Sequence, residues 1–205
     1  DVLAKLPQLE ELYLGYKDLG SAIDVLGECP SLKILKLGGR SPDNEVVHLP
    51  QMPKLETLEF DGNSLTDAGM EAIGRQKQLR HLDLSSQNIT DEGVKYLAEF
   101  ESLETLNLMN TGVTGTCLPT VAKLPALKKL TLYGCKIQGK DISSFVGTIN
   151  LEELQLAKTK IDDDAVEHLS RIQTLKYLHL DDTSITKKGR NKIKQSLPDC
   201  TIYGP

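Results

Sequence analysis

The chain has 205 residues, 39% of them apolar and 26% charged, with a formal net charge of −5 and no Trp. That length allows one or two globular domains, and no apolar run approaches the roughly 20 residues that span a bilayer. An acidic balance argues against a protein that coats nucleic acid, whose affinity rests on clustered Lys and Arg.

Residues 1–6, DVLAKL, align with KYLAEF at 95–100, so the chain is expected to open in the back half of a repeat. Either a truncated repeat caps the first strand or the chain is a fragment of a longer protein, and we favour the fragment. The opening DVLAKLPQL also lacks the charged start and long apolar stretch of a signal peptide.

From Leu9 onward the sequence repeats, a pattern to be sought before any local element is assigned. A first Leu recurs at Leu9, Leu32, Leu55, Leu79, Leu103, Leu127, Leu151 and Leu175, at steps of 23 or 24 residues. Three positions on, every unit has Leu: Leu12, Leu35, Leu58, Leu82, Leu106, Leu130, Leu154 and Leu178. Two further on stand Leu14, Leu37, Phe60, Leu84, Leu108, Leu132, Leu156 and Leu180. The next slot holds Lys17, Arg40, Asn63, Gln87, Thr111, Cys135, Thr159 and Thr183, and an apolar residue such as Leu65, Ile89, Val113 or Ile161 follows.

This L-x-x-L-x-L-x-x-[N/T/C]-x-[L/I] pattern resembles the leucine-rich-repeat family, across essentially the whole chain. The I-T-D-x-G segment at 89–93 is most similar to the 24-residue bacterial subclass, with a further likeness to the cysteine-containing repeats of F-box adaptors. The resemblance implies an α/β solenoid of about eight full repeats, with a curved parallel sheet on the concave face and helices on the convex face. It implies one such domain over residues 1–205.

The spacing explains itself physically. Within L-x-L the two Leu point one way and the middle residue the other. Thr66, Thr90, Thr114 and Thr186 stand where a helix N-cap is needed, with acids favoured in the first turn. Apolar residues then return at helical intervals, as in Val94, Leu97 and Phe100 or Val166, Leu169 and Ile172. One unit cannot bury its Leu set alone; stacked units bury a continuous core. Strands stack at ~4.8 Å and helices at ~10 Å, so the stack bends with the strands inside. The residue after each first Leu alternates in sign without exception: Glu10, Lys33, Glu56, Arg80, Glu104, Lys128, Glu152, Lys176. In a parallel stack these are neighbours, and slipping one repeat would oppose like charges.

The second unit departs from the pattern. Gly38–Met52 has Pro42 in the apolar slot and no capping residue, so irregular chain is expected where other units place a helix. Lys17 and Arg40 replace the small polar turn residue and would snorkel toward water. At the far end, Leu197, Cys200 and Ile202 again fit L-x-x-L-x-L, giving an edge strand or cap over 197–205. Arg190 takes a slot held elsewhere by Met70, Val94 or Val166, which suits a terminal face open to water. The basic run Lys187, Lys188, Arg190, Lys192 and Lys194 reads as a solvated capping helix. Cys135 and Cys200 fall at buried positions; with Cys29 and Cys117 they form no CxxC and stand at no metal-ligand spacing from His. A disulfide framework, a zinc site or another cofactor is therefore not expected. Unpaired thiols fit a reducing compartment such as the cytoplasm.

The open strand face carries the residues that vary. Its central column is Tyr13, Lys36, Glu59, Asp83, Asn107, Thr131, Gln155 and His179. The flanking columns include His81 and Tyr177 on one side and Asp61, Met109, Tyr133 and Asp181 on the other. Tyr supplies large contact area at modest entropy cost, and Glu59, Asp61 and Asp83 make the middle acidic. Such a face suits a protein or peptide carrying Lys or Arg. His81, Asp83 and Ser85 are the residue types of a hydrolase triad, but Asp lies between His and Ser, and alternate strand residues are about 6.8 Å apart. His179 and Asp181 gain no further ligand from Gln155 and Ala157. Asn88-Ile89-Thr90 is a glycosylation sequon in form only, because Ile89 belongs to the core.

A non-enzymatic binding module is therefore the expected function. The alternative is the targeting segment of a larger enzyme or effector whose catalytic domain lies outside these residues. A purely structural spacer is a third reading.

Overall fold

The computed structural model describes residues 5–15, 23–39, 43–62 and 64–204. Residues 1–4, Lys17, Arg40, Pro42 and Asn63 lie outside them, and with them the expectations placed on those positions. Nine strands form one parallel sheet in sequence order: β1 (Glu11–Leu14), β2 (Ile34–Leu37), β3 (Thr57–Phe60), β4 (His81–Asp83), β5 (Thr105–Asn107), β6 (Lys129–Thr131), β7 (Glu153–Gln155), β8 (Tyr177–His179) and β9 (Thr201–Tyr203). The register is the one the repeat dictates, with Leu12 beside Leu35, Leu58, Leu82 and so on to Leu178 and Ile202. The Leu columns from β2 onward are buried, with Leu35, Leu58, Leu106, Leu130, Leu154 and Leu178 at 0% exposure. Each such side chain contributes on the order of 1.5–3 kcal/mol, and the whole set forms one continuous core.

The outer layer is made mostly of short helical turns, many of them 3₁₀, such as Gly115–Cys117 and Asp163–Ala165. Among the described residues, only Lys187–Ser196 reaches ten residues. These turns are slimmer than full α-helices, which reduces the bend needed to keep both layers in contact. Inside each turn the small polar slot works as expected: Thr111, Thr159 and Thr183 hydroxyls donate to the carbonyls three residues back, at 2.6–2.8 Å. Cys135 donates its thiol to the Leu108 carbonyl at 3.0 Å. Gln87 does both jobs, accepting from the Leu65 N–H and donating to the Gly62 carbonyl.

The helix starts show a feature the local pattern did not reveal. Thr90 caps its own turn by accepting from the Glu92 N–H. Asp67 of the preceding repeat simultaneously accepts from the Thr90 N–H at 2.8 Å, the Thr90 hydroxyl at 2.5 Å and the Gly93 N–H at 3.1 Å. The same bridge joins Asp43 to Thr66, Asp91 to Thr114 and Asp163 to Thr186. Hydrogen bonding from Thr186 holds the Asp163 carboxyl below its ordinary pKa. The Gly of T-D-x-G is needed for this approach, because a Cβ at Gly93 would sit 2.4 Å from the Asp67 Oδ1. Where the donor repeat carries Gly instead, at Gly115 and Gly139, the carboxylate comes from the following repeat. Asp141 caps the Gln138 N–H, and the Asp162 carboxylate lies beside Gly139. Every one of these six junctions thus holds one carboxylate.

The alternating ladder closes into Glu10–Lys33, Arg80–Glu104–Lys128 and Glu152–Lys176 ion pairs. Hydrogen bonding from Lys128 lowers the Glu104 carboxyl's pKa, and Glu10 raises that of the Lys33 ammonium. Exposed pairs of this kind add little stability each; their order along the stack favours one register.

Two expectations need correction. The second unit is not irregular throughout, since Asp43–Val46 forms a helical turn. Val46 and Leu49 reach the core there and Asp43 is tied to Thr66, so packing supports the turn. Arg190 is not a free polar residue on an open face either. It is half-buried, and its guanidinium donates to the Ile202 carbonyl of β9 at 3.0 Å. Two more residues of the basic run are used similarly, with Lys192 paired to Glu167 and Lys194 donating to the Pro198 and Cys200 carbonyls.

Candidate functional site

The strand face is positioned by the alternation that buries the Leu columns, so its side chains stand in rows one strand apart. At the β1 end Tyr13 is 52% exposed. Its ring lies over Gly15 and Gly38; a Cβ at Gly38 would come within 2.5 Å of the phenol oxygen. The two glycines form a shelf for this ring. Lys36 pairs with Glu59 at 3.2 Å, and that hydrogen bond raises the pKa of the Lys36 ammonium. Tyr13, Lys36, Glu59, Asp61, Asp83 and Ser85 line one shallow depression.

The centre is more structured than the sequence suggests. Asp83 accepts from the Ser85 N–H at 2.8 Å and from the Asn107 side-chain amide at 2.9 Å. Asn107 in turn accepts from the Met109 N–H at 3.0 Å. These two residues therefore close the ends of β4 and β5 as well as facing outward. His81 is exposed and makes neither bond of a triad, because the Asp83 carboxylate is directed to Ser85 backbone and Asn107. Lys129 pairs with Glu153 at 3.4 Å, and Gln155 also donates to Glu153. A second, wider depression runs across these strands from Lys36 to Gln155.

At the β8–β9 end Tyr177 and Tyr203 are 46% and 45% exposed. His179 stacks on Tyr203 with ring centroids 4.4 Å apart and planes 24° from parallel. Lys158 lies over the Tyr133 ring, 5.2 Å from its centroid, and Tyr133 raises the pKa of that ammonium, through hydrogen bonding first and charge second. Asp181 is exposed at the edge of this group, and Met109 is half-buried between centre and end.

The predicted residues therefore fall into an acidic group near β3–β4 and an aromatic group at β8–β9, with Asn107 and Met109 between. Two members were not among the candidates. Tyr203 stands 24 residues after His179, so extending the central column by one unit would have found it. Lys158 has no such signal: it occupies a left-handed turn position, φ 56°, one residue off the column that contains Tyr133. Counting the three columns of β1–β8 gives six carboxylates and two ammoniums, a net of −4 against −5 for the chain. Both ammoniums are paired, whereas the Asp61 and Asp181 carboxylates have no partner among the described residues.

Among the described residues, no three His, Cys, Asp or Glu side chains cluster so as to hold a metal ion. The four cysteines are free and buried, and burial raises the pKa of the Cys117 and Cys135 thiols. Among the described residues, no helix is long and apolar enough to cross a membrane.

A family model described as "Leucine Rich repeat" matches residues 51–74 and 77–98. A comparison with curated protein sequences finds no match. Among solved structures the chain is similar to an internalin, InlF, of Listeria monocytogenes, with 16% identity and a TM-score of 0.62. That alignment covers 98% of this chain but 62% of the internalin, less than two thirds of its length. It is also similar to internalin C2 of Listeria monocytogenes, with 23% identity, a TM-score of 0.68, and 87% and 73% of the two chains covered. At these identities the likeness is one of fold.

Proposed function

We propose that the chain, which a leucine-rich-repeat family model matches over residues 51–74 and 77–98, is a binding module whose sheet face recognises a protein or peptide with basic side chains. The observation that carries this reading is the charge of the face. Six carboxylates stand in its columns against two ammoniums, both ammoniums are already paired, and Asp61 and Asp181 remain without a partner among the described residues. Complementary potentials of this kind set partner choice and association rate more than raw affinity. Half-exposed tyrosines at both ends supply rigid contact area.

The test is capture of partners from a lysate of the source cells with the chain and with a triple variant, Glu59→Lys, Asp61→Lys and Asp83→Lys. Recovery should fall at least tenfold while circular dichroism shows the fold retained. Unchanged recovery, with Tyr13→Ala and Tyr177→Ala equally silent, would sink the reading. A role as the targeting segment of a larger enzyme remains compatible with the same face, since targeting is itself recognition.

A further inference from the structure

We propose that the β8–β9 end of the sheet is an arginine platform: an extended segment of a partner protein lays an arginine side chain on the His179–Tyr203 stack, with Asp181 as its counter-charge. This deepens the reading above and rests on it.

The rings are placed in advance. Parallel pairing sets His179 directly beside Tyr203, and in their 4.4 Å stack each ring holds the other in place, so the outer ring face needs no ordering on binding. Tyr177 and Tyr203 stay nearly half exposed. Aromatic faces attract cations. A guanidinium is planar and weakly hydrated, and so lies flat on such a surface, whereas an ammonium is a compact, strongly hydrated point charge. The charge sign agrees: the face is net negative, and Asp181, two residues beyond His179, has no partner among the described residues. The same chemistry already operates alongside, where Lys158 sits over Tyr133. Lys158 would then be a local competitor, covering a tyrosine and adding positive charge close to where the incoming arginine binds.

The experiment is fluorescence anisotropy with a fluorescein-labelled pentapeptide carrying arginine at its second and fourth positions, and with its lysine and glutamate counterparts. The arginine peptide should bind about threefold to fivefold more tightly than the lysine peptide, with no binding of the glutamate peptide. Tyr203→Leu should remove that preference and Tyr203→Phe should keep it, since the ring and not the hydroxyl is required. Asp181→Asn should weaken binding, and Lys158→Met should strengthen it. Equal binding of arginine and lysine peptides, indifference to Tyr203→Leu, or no arginine-peptide binding at all would each overturn the platform. Loss of binding with Tyr13→Leu in place of Tyr203→Leu would overturn it too, yet leave the sheet face as the interaction surface. Failure of that broader reading is seen separately, in partner capture that ignores the triple charge reversal.

Discussion

Replacing Asp67 with Ala tests how the repeats are joined. The Asp67 carboxylate accepts three hydrogen bonds from the next repeat, from the Thr90 N–H, the Thr90 hydroxyl and the Gly93 N–H. Each net hydrogen bond is worth about 1 kcal/mol, and half-exposure lets water replace part of that, giving a loss of about 1.5–2 kcal/mol. Loss of a helix N-cap by itself gives a similar figure, about 0.5–2 kcal/mol. Thr90→Val removes the hydroxyl from both the Asp67 bridge and its own cap, so the two changes share one interaction. The double variant should therefore be less destabilised than the sum by about 0.5–1 kcal/mol. Urea unfolding of the four proteins, followed by circular dichroism, measures this coupling. A cost for Asp67→Ala below about 0.3 kcal/mol, or strict additivity with Thr90→Val, would refute the bridge.

The carboxyls of Glu104, Asp163 and Glu167 have pKa values lowered by their folded-state partners. Their stabilising effect is present above the unfolded values of 3.8–4.5 and lost as pH falls through the lower folded ones. The urea midpoint should fall steadily on acidification below about pH 4.5, and a midpoint constant down to pH 2 would contradict the assignment. At the alkaline end Lys33 and Lys36 have raised pKa values, so their pairs with Glu10 and Glu59 persist below 10.5 and fail only above it. The Cys117 and Cys135 thiols, buried and held protonated, should resist a thiol-specific reagent at pH 8 and react on unfolding. Fast labelling of either in the native state would mean the stack opens locally.

What the sequence made legible was whatever repeats locally. The Leu columns, the strand register, the Thr caps and the turn slot of Thr111 and Thr159 each follow from period and alternation within one unit. The Asp67-type bridge was harder because its partner lies 23 residues away. Its signal is present all the same: Asp stands 23 residues before Thr66, Thr90, Thr114 and Thr186, and Gly stands 23 before Gln138 and Asp162. The turn at Asp43–Val46 was hidden because the core contact of Val46, which supports it, is created only by the fold. Arg190 was misjudged for the same reason, as its carbonyl partner in β9 is created only by the fold. On the strand face the alternation identified which side chains point outward, but not how they divide. The Asp83–Asn107 and Lys36–Glu59 pairings and the reach of Lys158 to Tyr133 depend on side-chain length and turn geometry across strands.

The most direct measurement of the central claim is site-specific photo-crosslinking in source-cell lysate. A benzophenone side chain would be placed at Thr131, on the face of β6, and in a second protein at Glu71, on the helical side. A discrete protein adduct is expected from Thr131 that excess unlabelled chain competes away, and none from Glu71. A competed adduct from Glu71 alone would show that recognition uses the other side of the solenoid.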